Sequence, residues 1–517
     1  MIKNFKWLLL VSLTFVACNN DDEVTVVSNS SDGLPLTAGS ANFSKYVSLG
    51  NSLTSGYSDS ALFIEGQKSS YPNILSQQFA LVGGGEFKLP LMNDNIGGLL
   101  LGGFQIQGPR LYFNGSGPAP VAGTPSTDIT THLSGSYNNM GIPGAKSFHL
   151  LAAGYGNIAG VSTGQANPYY VRFASSATSK VIDDATSQNP TFFSLWIGNN
   201  DVLSYATSGG TGVNQVGNLN PATYGSNDIT DPNVFASVYN TLVTNLTANG
   251  AKGVVANIPY VTSVPFFTTV PTDPIPGLPP TSAGQLNQLF GGINAALTAS
   301  GLPTRFVTLV ADDSNPATTE KNPLLIKDES LINISAQITA ALTPTLGAGT
   351  AAYLGSIYGQ ARHAKNTLPN KDYILLTART IIGTTQTGAP APFNTIGVSY
   401  PMQDNTTLTA SESAEVKTAT DLYNASILNI ATSKGLAFVD ANATLVQVAN
   451  GGINSNGFNV TSNYVTGGGF SMDGVHPSPR GYALIANKFL EAINTTYGSN
   501  LKAVDLGNYR ILFPATL

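Results

Sequence analysis

The run Thr191-Phe-Phe-Ser-Leu-Trp-Ile197 is apolar almost without interruption. A half-exposed strand would alternate polar and apolar residues, and a surface helix would repeat every three to four. This segment therefore belongs to a strand covered on both faces. Lys252 to Ile258 reads the same way, and Leu436 to Asp440 and the stretch Phe43 to Gly50 are strand-like. Between them lie helical spacings: Tyr71 to Ala80, Lys146 to Ala153, a helix from about Pro232 carrying Val234, Tyr239, Leu242 and Leu246, and Gln285 to Ala299. Thr409-Ala-Ser-Glu412 has the form of a capping box and opens a helix to about Ser433, and Pro479 to Thr496 is the last helix. This alternation predicts a three-layer α/β/α sandwich around a mostly parallel sheet, with sites at the carboxyl ends of the strands.

The alternation runs through residues 43–500 and is broken by loop-rich insertions near 81–135, 202–231, 259–283 and 311–408, with an extension at 501–517. In the first insertion Phe104 to Gln107 alternates like a strand, and Arg110 to Phe113 reads as its partner. Pro259 to Pro280 holds too many prolines for regular structure, Arg305 to Val310 is strand-like, and 311–408 is poorly periodic.

Charged residues make up only 10% of the chain, and the net charge of −6 leaves no basic patch to neutralise phosphates, which argues against nucleic acid as a partner. The single cysteine, Cys18, excludes disulfides and thiolate metal sites from the body, and four histidines cannot build a conventional zinc site. Lys3 and Lys6 precede the apolar run Trp7 to Ala17, a signal peptide (1–17) too short to span a membrane. Residues 18–42 then form a polar tether with a reach of roughly 25–30 Å. The small residue before Cys18 resembles a bacterial lipobox, and Asp21-Asp22-Glu23 resembles the surface-export signal of lipoproteins in the Bacteroidetes group. These resemblances imply a lipidated Cys18 that anchors an outer-membrane lipoprotein, facing the periplasm or the cell surface.

Three strand ends finish in small or amide residues: Gly50-Asn51-Ser52, Gly141 to Gly144, and Gly198 to Asp201. Glycine lets a backbone amide approach a substrate closely, and an asparagine can donate to a developing oxyanion without carrying charge. Asp473-Gly-Val-His476 supplies a carboxylate and a base three residues apart, so one turn can set the carboxylate on Nδ1 and leave Nε2 for a serine. His132, His149 and His363 have no such setting and read as structural or surface residues.

Together these blocks resemble the SGNH, or GDSL-type, family of esterases and lipases. The nucleophile block matches Gly50 to Leu53, the oxyanion glycine block Asn139 to Ala145, the G-x-N-D block Gly198 to Asp201, and the D-x-x-H block Asp473 to His476, in the family's order. The resemblance implies a flavodoxin-like hydrolase fold and ester hydrolysis without metal or cofactor. It makes Ser52 the nucleophile, His476 the base, Asp473 its orienting acid, and Ser52, Gly144 and Asn200 the oxyanion donors. Asn51 departs from the family's aspartate. The substrate, a small-molecule, lipid or acylated-glycan ester, stays open between a lipase-like activity and a carbohydrate O-acyl esterase. A non-catalytic glycan-binding lipoprotein is the alternative outside enzymes. Because Pro259 to Pro280 follows a strand ending at Ile258, its Tyr260, Phe266 and Phe267 are expected at the carboxyl edge, where they could line the substrate pocket.

Overall fold

Five short runs pair in parallel register: β1 (Tyr46–Gly50), β2 (Asn139–Gly141), β3 (Phe192–Trp196), β4 (Lys252–Ala256) and β5 (Ala437–Val439). Their spatial order is β5-β4-β3-β1-β2. This is a computed structural model that describes residues 33–315 and 317–517; the expectations for the signal peptide, for Cys18 and for most of the tether lie outside the described residues. Every residue of β1 and β3 is buried, as an apolar run without alternation requires. From β1 the chain crosses first to one side, to β2, and then to the other, to β3. A sheet wound in both directions from one strand leaves a crevice at the carboxyl ends beside it.

Helices α1 (Ser52–Ser55), α2 (Tyr71–Ala80), α3 (Asn200–Thr207) and α4 (Pro232–Thr247) belong to the first part of the sheet body. Helices α5 (Pro280–Ala299), α6 (Ser335–Leu346) and α7 (Ala348–Tyr358) form an insertion, and α8 (Ala410–Ser433), α9 (Ala441–Ala449) and α10 (Pro479–Tyr497) complete the body. One face of the sheet is covered by α2 and α10, where Phe192 meets Phe79 and Tyr497 at ring distances of 5.6 and 5.8 Å. The other is covered by α4 and α8, where Phe235 stacks on Tyr423 at 4.2 Å. Burying one such ring contributes about 1.5–3 kcal/mol. The ion pairs of the body away from His476, such as Lys68 with Glu65 and Lys417 with Asp421, lie on the surface and are worth about 0–1 kcal/mol each, so apolar burial holds the layers together. The capping box of α8 is formed as its sequence predicts, with Thr409 N–H donating to Glu412 Oε2 at 2.7 Å. No helix among the described residues is long and apolar enough to cross a membrane.

The two ends of the described chain attach at different places. Near the amino ends of the strands, Ser40 N–H donates to Tyr497 O at 2.8 Å and Thr37 N–H to Asn500 Oδ1 at 2.7 Å. At the other end, the buried Arg110 guanidinium donates to the carbonyls of Pro514 and Ala515 at 2.7 and 3.1 Å.

Several expectations for local structure need correction. Phe104–Gln107 pairs with Leu99–Leu101 across Gly102-Gly103, both left-handed, and Leu111–Phe113 pairs instead with Pro118–Pro120. Two successive left-handed glycines make the tight hairpin turn that suits strand twist, and that turn fixes the partner. Lys146 to Ala153 shrinks to a 3₁₀ turn, Ser147–Leu151. Arg305 to Val310 is extended but joins no ladder, because side chains take its amides. Asn294 Oδ1 accepts from Arg305 and Phe306, His363 Nδ1 from Val307, Asn287 Oδ1 from Leu309 and Asn322 Oδ1 from Val310. Within 311–408, α6 and α7 form a hairpin against α5, over a core that includes Phe290, Phe306 and Tyr358. Inside the insertion Arg362 is buried between Asp328 and Asp372, each at 2.6 Å.

Candidate active site

The site begins where β1 ends. A side chain on Gly50 would lie 2.2 Å from Thr54 Oγ1 and 2.3 Å from Trp196 O, so only glycine lets the chain turn there. Asn51 then caps α1, its Oδ1 accepting Leu53 N–H at 3.0 Å while its Nδ2 donates to Asn199 Oδ1 at 3.2 Å. Ser52 is thereby fixed at the first position of α1, with Oγ 2.9 Å from His476 Nε2.

The Asp473 to His476 loop delivers the other two groups. His476 Nδ1 lies 2.9 Å from Asp473 Oδ2. Asp473 Oδ1 accepts the amides of Val475 and His476 at 2.8 Å each, and Oδ2 accepts Ser60 N–H at 2.9 Å. Burial alone would raise the pKa of this carboxyl, but His476 and these hydrogen bonds outweigh it and hold it down at about 2. Gly474 adopts a left-handed φ of 71°, and its carbonyl accepts Phe266 N–H at 2.9 Å, pinning the loop from outside.

Sequence reasoning missed a second acid beneath this loop. Asp59 and Ser60 both take left-handed backbone, φ 54° and 65°, uncommon without glycine. That turn aims Ser60 N–H at Asp473, gives Asp59 N–H to Ser471 Oγ at 3.0 Å and sets Asp59 Oδ1 on Met472 N–H at 2.8 Å. Asp59 Oδ2 is buried without a partner, and burial pushes its carboxyl up to about 7 against the pull of the Met472 amide. Tyr57 closes the same side, its ring 4.6 Å from that of His476 and its hydroxyl accepting from Gln107 Nε2 at 2.6 Å. No motif marks Ser58-Asp-Ser60; the partners that tie it to the Asp473 loop, Ser471, Met472 and Asp473, are more than 400 residues away in sequence.

On the other side of Ser52, the backbone N–H groups of Ser52 and Gly144 have no hydrogen-bond partner among the described residues. Gly144 is exposed and left-handed, φ 81°, on a loop propped by Asn167 Nδ2 donating to Pro143 O at 2.7 Å. Asn200 Nδ2 donates to Ala145 O at 2.9 Å, which ties the amide to the same loop. Asp201, buried, accepts both the N–H and the hydroxyl of Ser147, locking the strand end of β3 to that of β2. The other histidines serve elsewhere: His149 Nδ1 accepts Lys146 N–H, His363 Nδ1 accepts Val307 N–H, and burial pushes both rings down to about 4. His132 Nε2 bonds Ala174 O at 2.8 Å.

Beside Ser52 and His476 opens a cleft of about 960 Å³, its open mouth included. The Pro259 segment reaches it, though through Pro259, Val261 and Val264 and not through the aromatic residues expected there. Tyr260 is turned to the surface, its hydroxyl donating to Asp421 Oδ1 at 2.5 Å. Phe266 and Phe267 are buried in a short helix, Pro265–Thr268, which Pro265 starts from its first position and which packs toward Tyr373. Among the described residues, two carboxylate groups bring their oxygens within 4.8 Å of one another, Asp312/Asp313/Glu320 and Glu329/Asp404/Glu412; neither includes a residue of the Ser52 site.

Comparison of the chain with protein-family models, with curated proteins and with solved structures found no match. A hydroxyl bonded to an imidazole that a carboxylate orients can pass its proton to nitrogen as its oxygen attacks a carbonyl. Unoccupied N–H groups beside it can stabilise the oxyanion that results.

Proposed function

We propose that this protein is a serine ester hydrolase of the SGNH/GDSL type that cleaves carboxylic esters through an acyl-enzyme on Ser52. The observation that carries the reading is the unbroken chain from Ser52 Oγ through His476 to Asp473, 2.9 Å at each step. Ser52 Oγ attacks the ester carbonyl while His476 Nε2 takes its proton. The Ser52 and Gly144 amides and the Asn200 side chain receive the oxyanion, each such donor typically worth about 2.7–4 kcal/mol. His476 then protonates the leaving alcohol, and water releases the acyl group by the same route. A carboxylate held as low as Asp473 stays ionised and supports the imidazolium throughout. A complete relay argues against a worn-out, purely binding version of the fold.

Cys18 belongs to the same reading, as a lipid anchor that holds the enzyme on the outer membrane. Cys18→Ala should move the protein into the soluble fraction, because acyl chains contribute roughly 0.8 kcal/mol per buried CH₂ to membrane binding. The deciding experiment is fluorophosphonate labelling with p-nitrophenyl ester turnover. The reading requires one labelled serine, Ser52, and no turnover in folded Ser52→Ala; labelling elsewhere or unchanged turnover overturns it.

A further inference from the structure

The cleft continues past the serine. Its polar groups, Ser52, Asn199, Asn200 and His476, stand at one end. The rest of its lining is apolar and comes in large part from α9 (Leu445, Val448) and α10 (Leu484, Phe489), joined by Trp196 and Val264, with Lys488 of α10 also on its wall. Along this depth Thr444 is the one hydroxyl in the wall, and the Trp196 Nε1–H is already given to Asn257 O at 3.0 Å. Lys488 is paired with Glu491 at 2.9 Å and partly exposed.

Such walls discriminate between the two ester classes that the Ser52 site would accept. A sugar brought here would bury hydroxyls with nothing to bond, each weakening binding by roughly five- to 150-fold. An alkyl chain would gain up to about fourfold per methylene. The two products also leave differently. The alcohol departs in the first step and water must enter after it, so that half of the ester needs the open side. The acyl half stays on Ser52 until the second step and suits a passage sunk between helices.

On the reading that Ser52 is an acylated nucleophile, we infer that the cavity between α9 and α10 is an acyl-chain channel, and that the substrate is an ester of a medium- or long-chain fatty acid and not an acetylated sugar. The test uses the purified full chain with p-nitrophenyl acetate, hexanoate and decanoate, and with acetates of long-chain alcohols. The wild type should gain in kcat/KM along the acyl series, up to about fourfold per methylene, and show no comparable gain along the alcohol series. Val448→Trp, which fills the passage, should abolish the gain, lowering decanoate turnover far more than acetate turnover while Ser52 is still labelled. Leu445→Phe narrows the same wall and replaces Val448→Trp should that variant lose labelling. A flat acyl series in the labelled wild type, an equal loss on acetate and decanoate in a labelled variant, or a gain that follows the alcohol chain each overturns the channel. No turnover of any ester together with no labelling overturns the Ser52 reading itself, a result distinct from all of these.

Discussion

In the sheet body, β1, β3 and β4 bond their backbone amides to parallel neighbours, whereas in the insertion Arg305 to Val310 hands its amides to Asn287, Asn294, Asn322 and His363. The charges differ in the same sense. In the body His476 and Asp473 are half-buried and open to the cleft, while the insertion encloses Arg362 between Asp328 and Asp372. Ladder bonding between strands covered on both faces forces an apolar pattern onto the sequence. Side-chain acceptors and a closed ion cluster force none, so a region can be well ordered and still look irregular. Ser52, Asp473 and His476 all lie on the body, and the Pro259 segment meets their loop where Phe266 N–H donates to Gly474 O at 2.9 Å.

That division can be broken most directly at Ser52. Ser52→Ala should lower ester turnover by about 10⁶-fold, as loss of a triad nucleophile does, and leave the thermal unfolding of both regions unchanged. Residual turnover near wild type would move the chemistry out of the body.

Arg362→Ala attacks the other region. It leaves two buried carboxylates without a cation and should cost about 3–5 kcal/mol, concentrated in residues 275–408. Hydrogen exchange should show that segment opening first while Ser52 still takes the fluorophosphonate. One cooperative loss of both would mean that the two regions are a single unit.

A pH titration sharpens the contrast. Asp59 is raised in the folded chain to about 7, so between the usual carboxylate range and that value the folded state holds a proton that the unfolded state has lost. Stability on its account falls as pH rises from about 4 to about 7, and Asp59→Asn should flatten the fall of Tm across that window. Asp473 has the opposite sign: held at about 2, it contributes stability above about 4 that is lost as pH drops toward 2. Where the insertion returns to α8, burial pushes Asp404 up to about 7 and Glu412 up to about 8. The alkaline weakening of that seam should therefore persist in Asp59→Asn, and its disappearance would show that Asp59 couples the two regions.

The smallest effect is expected at Asn51. Asn51→Asp keeps the cap on Leu53 N–H and gives up the donation to Asn199, so turnover should change by less than about tenfold. Recovery of activity from an inactive wild type would instead make the natural protein a pseudoenzyme.

What the sequence makes legible follows the same boundary. Strands β3 and β4 and helices α2, α4, α8 and α10 stand within one or two residues of where apolar spacing and capping put them, and the structure brings Ser52, His476 and Asp473 within hydrogen-bond distance. Motif spacing could reach those three because each sits in a short local block. It could not reach Asp59 or Ser60, whose roles depend on partners 413 residues away, nor Gln107, which arrives on a hairpin. The Pro259 segment reaches the cleft as its sequence position implies, but which of its side chains turn inward depends on the Pro265–Thr268 helix, and there Tyr260, Phe266 and Phe267 yield to Val261 and Val264.

The two attachment points of the described chain make the molecule polar as an object to be handled. Residues 37–40 are fastened to the far end of α10, at the edge of the sheet opposite the cleft, so a bead, a surface or a fused protein joined upstream of them grips the base. Residues 514 and 515 are fastened to Arg110, next to the Asp59 turn that supports Asp473, so the same attachment made downstream bears on the floor of the mouth. Held at residues 37–40, the described body would present Ser52 outward to the solution.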